Sequence, residues 1–241
     1  MNKDIFINEL KKLGIEVSDE KIKLLDEYAK FLIEYNEHTN LTAIKDINDI
    51  YLKHFYDSLT ITKVINLKKV KNLLDIGTGA GFPGVVLKIF YPNLSVTLVD
   101  SNGKKTTFLN ELVQRLKLDN VIIINNRVEN LYKEYINSFD VVTSRAVANM
   151  SVLSELSIPF VKKFGYFIAM KGKNNEEIDE SISIISKMNS SIVELKEFKL
   201  YNDDNDRTLI KIIKNEDSIF NNLRTYEQII KSKNKLQKGS K

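Results

Sequence analysis

The chain has 241 residues, 43% hydrophobic and 28% charged, enough apolar material for a sizeable core and no apolar run near the roughly 18 residues that a membrane span requires. It contains no cysteine, which excludes disulfides, thiolate metal sites and cysteine nucleophiles. The net charge of +4 is unevenly spread: residues 211–241 carry eight Lys/Arg against three Asp/Glu, and the first 210 residues sum to −1.

The opening MNKDIFINELKKLG has an acidic residue at Asp4 and no small-residue cleavage site behind a short apolar core. It does not read as a signal peptide, and a cytoplasmic location is expected. Apolar spacing up to about residue 66 is helical. Ile5, Leu10 and Leu13 mark a first helix; Ser18 caps a second, with Asp19 and Glu20 in its first turn and Ile22, Leu25, Tyr28, Phe31, Leu32 and Tyr35 along it; a third runs from about 48 to 63. From residue 71 short β-rich runs alternate with helical patterns: KNLLDI, SVTLVD, VIIINN, FDVVTS, YFIAMKG, SIVELKEFKL and RTLIKIIK. This alternation predicts an α/β fold with a largely parallel sheet covered on both faces. The last two runs are separated only by the polar NDDND, which predicts an antiparallel hairpin at one end of the sheet. Three regions follow: an N-terminal helical extension over 1–66, packed on the core because no Pro- or Gly-rich linker separates it; an α/β domain over 67–214; and a basic C-terminal tail over 215–241. Such a tail fits a polyanionic partner, or a merely solvated end in a Lys-rich chain where only five of 36 basic residues are Arg.

The most informative segment is Leu73-Leu74-Asp75-Ile76-Gly77-Thr78-Gly79-Ala80-Gly81-Phe82-Pro83-Gly84, which leaves a strand and enters a helix whose first turn can accept Pro83. Gly79, Gly81 and Gly84 satisfy the G-x-G-x-x-G spacing of dinucleotide sites, so a nicotinamide enzyme stands beside an S-adenosylmethionine enzyme as a reading. Asp75 at the strand end would repel a pyrophosphate and could meet a cationic ammonium, directly or through water. Asp100, ending SVTLVD, can accept from both ribose hydroxyls under either reading. Arg127-Val128-Glu129, after VIIINN, places a polar pair beside an adenine edge. The balance favours S-adenosylmethionine.

The whole pattern resembles the seven-strand class I methyltransferases, and within them the bacterial small-subunit (16S) rRNA guanine-N7-methyltransferase family RsmG, also called GidB or glucose-inhibited division protein B. The resemblance rests on Asn40-Leu41-Thr42-Ala43-Ile44, His54-Phe55-Tyr56-Asp57-Ser58-Leu59, Asp75 to Gly84, Asp100-Ser101-Asn102-Gly103-Lys104-Lys105, Ser144-Arg145-Ala146-Val147-Ala148 and Lys171-Gly172, in family order over about residues 28–172. It implies that Asp75, Gly77, Gly79 and Phe82 surround the cofactor, that Asp100, Ser101 and Asn102 hold the ribose and Val128 and Glu129 the adenine, and that Arg145 sits between cofactor and target base as the catalytic candidate. Two positions depart from the family: Tyr35-Asn36 stands for Trp-Asn, and Leu223-Arg224 for a C-terminal Pro-Arg pair.

Guanine N7 carries a lone pair in its neutral form, so methyl transfer to it needs proximity and orientation and no general base. That suits a chain with few obvious catalytic groups. Amino-group methylation would call for an Asn/Asp-Pro-Pro-aromatic loop after the fourth strand, where this chain has Thr143-Ser144-Arg145-Ala146; ribose 2′-O transfer would call for a base, for which Lys171 is the candidate. His38 and His54 are the only histidines and no metal site is expected; His54 and Asp57, at i and i+3, fit a role in fixing the helical cap. A structural reading of Arg145 pairs it with Asp75 or Glu129. The expected partner is small-subunit rRNA or its ribonucleoprotein, with no membrane and a monomeric state. Competing classes are an NAD(P)-dependent oxidoreductase, a small-molecule methyltransferase and a nonenzymatic RNA-binding protein that keeps the fold.

Overall fold

The computed structural model of the chain describes residues 1–145, 148–172, 175–202, 204 and 206–239. Ala146 and Val147 of the Ser144–Ala148 motif, Asp203 and Asn205 of the NDDND turn, and Ser240 and Lys241 of the tail lie outside the described residues.

Seven strands, β1 (Asn72–Ile76), β2 (Ser95–Asp100), β3 (Val121–Asn125), β4 (Phe139–Arg145), β5 (Val161–Gly172), β6 (Ser190–Lys199) and β7 (Asp206–Lys214), form one sheet in the order β3-β2-β1-β4-β5-β7-β6. The β1–β2, β2–β3, β1–β4 and β4–β5 pairs are parallel; β7 enters antiparallel between β5 and β6. This is the expected class I methyltransferase architecture, with the antiparallel hairpin at one end. Strand β5 begins earlier than the YFIAMKG run because Val161 pairs with Phe139 before the register shifts and resumes at Tyr166–Val141. Phe164, at φ 63°, lies in that irregular stretch.

The strands bury both faces, alternating as a pleated strand must. Leu73, Val96, Leu98, Val141 and Ile168 join one core, and Leu74, Val99, Val142, Phe167 and Ala169 the other. The first core is covered by α1 (Lys3–Lys12), α2 (Asp19–Thr39), α3 (Gly84–Phe90) and α4 (Gly103–Arg115); the second by α5 (Met150–Ser157), α6 (Asn175–Lys187) and α7 (Tyr226–Gly239). The N-terminal helices share an unbroken core with the sheet: Phe6, Leu10, Tyr28 and Leu32 are fully buried in the same cluster as Leu98 and Phe108. On α1 it is Phe6 that is buried with Leu10, whereas Ile5 and Leu13 are only partly covered.

The third N-terminal helix is not regular. It starts as α-helix over Ile47–Asp49, widens to a π-helix over Ile50–Tyr56, returns to α over Asp57–Leu59 and tightens to 3₁₀ over Thr60–Lys63. Six of the seven π residues are buried, so this stretch has no polar face from which a 3.6-residue period could be read. Widened turns of this kind are rare and gather at functional sites.

Because α1 packs into the common core, Phe6→Ala should cost about 3–5 kcal/mol of stability in a single cooperative transition. Chemical denaturation that resolves a separate low-stability N-terminal transition would contradict a shared core.

Candidate functional site

The C-terminal ends of β1, β2 and β4 open into a cavity of about 840 Å³, within the range of small-molecule sites. Its floor is the loop between β1 and α3. Gly77, Gly79 and Gly81 have positive φ, and a Cβ at Gly79 would meet no protein atom within 4 Å, so this glycine keeps a φ that other residues rarely adopt while its Cα side stays open.

Two carboxylates hold the loop. Asp75 is fully buried and its Oδ2 accepts from the Thr78 hydroxyl at 2.7 Å and from the Gly84 amide at 2.8 Å. Burial pushes its pKa up to about 6, against the pull of those two bonds. Asp100, at the end of β2, accepts from the Gly79 amide at 3.0 Å through Oδ2 and from the Asn102 amide at 2.9 Å through Oδ1. Each carboxylate oxygen has a second lone pair, and Asp100 borders the cavity.

This bonding pattern separates the two cofactor readings. A pyrophosphate needs free amides at the loop and at the start of the following helix. Here the Gly79 amide is bound to Asp100, Pro83 has no amide proton, the Gly84 amide is bound to Asp75, and the Val85 amide donates to the Gly81 carbonyl at 2.9 Å. The carboxylate beneath the loop adds repulsion of any polyanion. The donor set fits a cationic, ribose-bearing ligand and not a dinucleotide.

Gly77, Gly79, Phe82, Asp100, Ser101, Val128, Glu129 and Arg145 all border this one cavity. Asp75 and Asn102 do not. Asp75 closes the loop from below, where it cannot meet a ligand's ammonium directly, and the Asn102 side chain caps α4 by accepting from the Lys104 amide at 3.0 Å. Pro83 stands immediately before α3 and not inside its first turn.

Arg145 projects from the end of β4 onto the π-helix. Its Nη1 donates to the Lys53 carbonyl at 2.8 Å and to Asp57 Oδ2 at 3.1 Å, and its Nη2 lies 3.2 Å from His54 Nδ1. The partners are thus Asp57 and His54, three residues apart on the irregular third helix, and not the expected Asp75 or Glu129. A guanidinium only donates, so His54 Nδ1 is the acceptor and the ring proton sits on Nε2, 3.1 Å from the Thr42 hydroxyl. Burial, reinforced by the Arg145 charge, lowers the His54 pKa to about 3. The neutral imidazole stacks on Phe82 at 4.3 Å, and Phe82 stacks in turn on Tyr28 at 5.4 Å. Thr42 is clamped to α2 by reciprocal bonds with the Asn36 amide side chain at 2.8 and 2.9 Å. Three separate sequence motifs, Asn40–Ile44, His54–Leu59 and Ser144–Arg145, thereby become one hydrogen-bonded chain.

Arg207 on β7, which the sequence reading did not single out, also binds Asp57, with Nε 3.2 Å from Oδ1, and borders the cavity. Tyr226 was missed as well. A compositional signal for Arg207 existed: in a chain that uses Lys almost everywhere, three of the five arginines, Arg127, Arg145 and Arg207, line this cavity. Lys171 Nζ is committed as a donor to Glu177 at 2.9 Å and to the Ala148 carbonyl at 2.7 Å, an arrangement unsuited to a general base. Arg224 binds Glu155 through Nε at 2.8 Å and also through Nη2, so the tail begins anchored. Among the described residues no helix is long and apolar enough to cross a membrane and no cluster of His, Cys, Asp or Glu could hold a metal.

Comparison with known proteins decides the family. A family model described as GidB, rRNA small subunit methyltransferase G, matches residues 21–207. The chain belongs to the rRNA small subunit methyltransferase G family. Family relatives of that name include one from Macrococcus caseolyticus, 45% identical over 216 residues and covering 89% of this chain and 91% of the relative, and one from Lactobacillus helveticus, 45% identical over 219 residues with the same coverages. Among solved structures, M. jannaschii TYW2 in complex with AdoMet (TM-score 0.53, 16% identity, 66% of this chain and 76% of that one) and a precorrin-6y C5,15-methyltransferase from Geobacter metallireducens (0.53, 13%, 66% and 88%) share the fold.

The neutral state of His54 has a consequence for stability. Its unfolded counterpart titrates near 6.5 and the folded ring near 3, so between those values the unfolded chain binds a proton that the folded chain does not. The stability present above pH 6.5 is lost as pH falls through that window, by up to about 1.4 kcal/mol per pH unit from this group. In His54→Gln the acid-side slope should be shallower by this contribution, measured by urea unfolding at about pH 7 and about pH 5.5. Parallel slopes in the two proteins would show that the ring is not held neutral.

Proposed function

We propose that the cavity binds S-adenosylmethionine and that the chain transfers its methyl group to N7 of a guanine in small-subunit rRNA. The observation that carries this reading is Asp100: a buried carboxylate at the end of β2, fixed by two backbone amides with the Lys105 ammonium 3.7 Å away, that borders the cavity beside a glycine loop whose Gly79 and Gly84 amides are already bound. Bound there, the cofactor supplies an electrophilic methyl group on a sulfonium.

The protein's own residues have four tasks. Asp100 accepts from the ribose hydroxyls, with Ser101 beside it. Val128 and Glu129 flank the adenine. The Phe82–His54 stack gives the floor a rigid aromatic surface, and Arg145, 5.2 Å above the Phe82 ring, is fixed in place by Asp57 and His54. No proton has to leave neutral guanine before N7 attacks, so orientation and local charge are what the site must provide. An arginine cannot donate to N7 while N7 is the nucleophile; Arg145 serves the guanine O6 or a neighbouring phosphate. The cavity lining carries six Lys/Arg (Lys53, Lys105, Arg127, Arg145, Lys171 and Arg207) against three Asp/Glu (Asp57, Asp100 and Glu129), a positive balance that suits a polyanionic substrate.

Asp100→Asn should weaken binding of S-adenosylmethionine and of its demethylated product by about 1–3 kcal/mol in calorimetry, with the melting temperature as a control for folding. Unchanged affinity would remove Asp100 from the site. Nucleoside mass spectrometry of rRNA from small subunits treated with enzyme and cofactor should show N7-methylguanosine; 2′-O-methyl nucleosides in its place would overturn the assignment. Over about pH 7 to 9 the single-turnover rate should show no ionisation of a catalytic base, and Arg145→Lys should lose turnover more than RNA affinity.

A further inference from the structure

The C-terminal helix borders the same cavity. Tyr226, its first residue, lies outside the stretch that the family model matches, yet it lines the cavity beside Val128 and Glu129. Its amide is 3.4 Å from Glu129 Oε1, and the Arg127 guanidinium lies 5.3 Å from the centre of its ring.

The position of Tyr226 is built and not incidental. Thr225 and Gln228 cap the helix reciprocally, the Thr225 amide donating to Gln228 Oε1 at 2.9 Å and the Gln228 amide to the Thr225 hydroxyl at 3.4 Å. Immediately before them Arg224 is held by Glu155 and donates from Nη1 to the Ser232 hydroxyl at 2.9 Å. One turn on, Ile229 is 3% exposed in the core that covers the second face of the sheet. A helix start fixed on three sides delivers one half-buried aromatic ring to the cavity.

We propose that Tyr226 is a cofactor-binding residue, its ring forming the outer wall of the adenine subsite, so that the C-terminal helix completes the methyl-donor pocket. This rests on the reading of Val128 and Glu129 as the adenine side. A flat aromatic face is the natural packing partner for a purine, and a tyrosine offers it with little loss of side-chain freedom.

Calorimetry with S-adenosylhomocysteine on the full chain tests it. Tyr226→Ala should weaken binding about tenfold and Tyr226→Phe about twofold or less, in keeping with the loss or retention of base stacking. The Ki of adenosine, which carries the purine, should rise in Tyr226→Ala by the same factor. In the wild-type protein, S-adenosylhomocysteine should shield Tyr226 from nitration by tetranitromethane, a readout that needs no variant to fold. Unaltered affinity in Tyr226→Ala, an adenosine Ki that does not move, or nitration of Tyr226 that ignores saturating ligand would overturn the inference. Failure of the wild-type protein to bind S-adenosylhomocysteine at all would instead strike the donor-site reading beneath it.

Discussion

Asp57 lies between two guanidinium groups, Arg145 from β4 and Arg207 from β7, with 7% of its side-chain surface exposed. A buried carboxylate is costly unless it is paired and its lone pairs are filled, and breaking such a pair leaves an uncompensated charge behind. Here one side chain of the N-terminal segment neutralises part of the charge on two strand ends, so the helical cap and the sheet cannot separate without stranding all three groups. Arg145 is further braced by the Lys53 carbonyl and by His54, and His54 by Thr42. Thr42, Lys53, His54, Asp57, Arg145 and Arg207 all line the cavity. On and just beyond the π-helical stretch Ile50–Tyr56, the Lys53 carbonyl, the His54 ring and the Asp57 carboxylate converge on one guanidinium.

The second constraint is the glycine loop. Its spacing alone admits a dinucleotide, and the distinction lies in what its amides already bind. Asp75 from below and Asp100 from the side occupy the Gly84 and Gly79 amides, turning a loop that could cradle phosphate into one that presents a carboxylate edge to a neutral or cationic ligand. The close fit is steric as well as electrostatic: a Cβ at Gly84 would come within 2.3 Å of Leu98 Cδ2 and 2.9 Å of Asp75 Oδ2, so the loop and α3 can approach β1 and β2 this tightly only with glycine there.

The fold was largely legible because each strand carries its own signal. Runs such as SVTLVD and RTLIKIIK are short, β-branched and bounded by polar residues, and their alternation with helices leaves few topologies. The lining of the cavity was legible where a loop needs glycine or a strand ends in Asp, as at Gly77, Gly79 and Asp100. It was not legible where the role depends on a partner far along the chain. Asp75 reads as a ligand group from its position, but it is fully buried and its Oδ2 is taken by Thr78 and Gly84; Asn102 reads as a ribose contact, and its side chain caps a helix. Arg145 was singled out, and so were His54 and Asp57 as residues that fix the helical cap, but their pairing across 88 to 92 residues was not read, since no local pattern encodes an ion pair between β4 and a helix that far away in the chain. Tyr226 lies 97 residues beyond Glu129 and is brought to it only by the docking of Arg224 and Ile229.

The most direct test of the site as a methyl-donor pocket is a crystal structure of the protein with S-adenosylhomocysteine. The account predicts the ribose hydroxyls on Asp100 at hydrogen-bond distance, the adenine against Val128, and the sulfur near Phe82 and Arg145. Density for the ligand elsewhere on the protein, or in this cavity with its ribose away from Asp100, would contradict it.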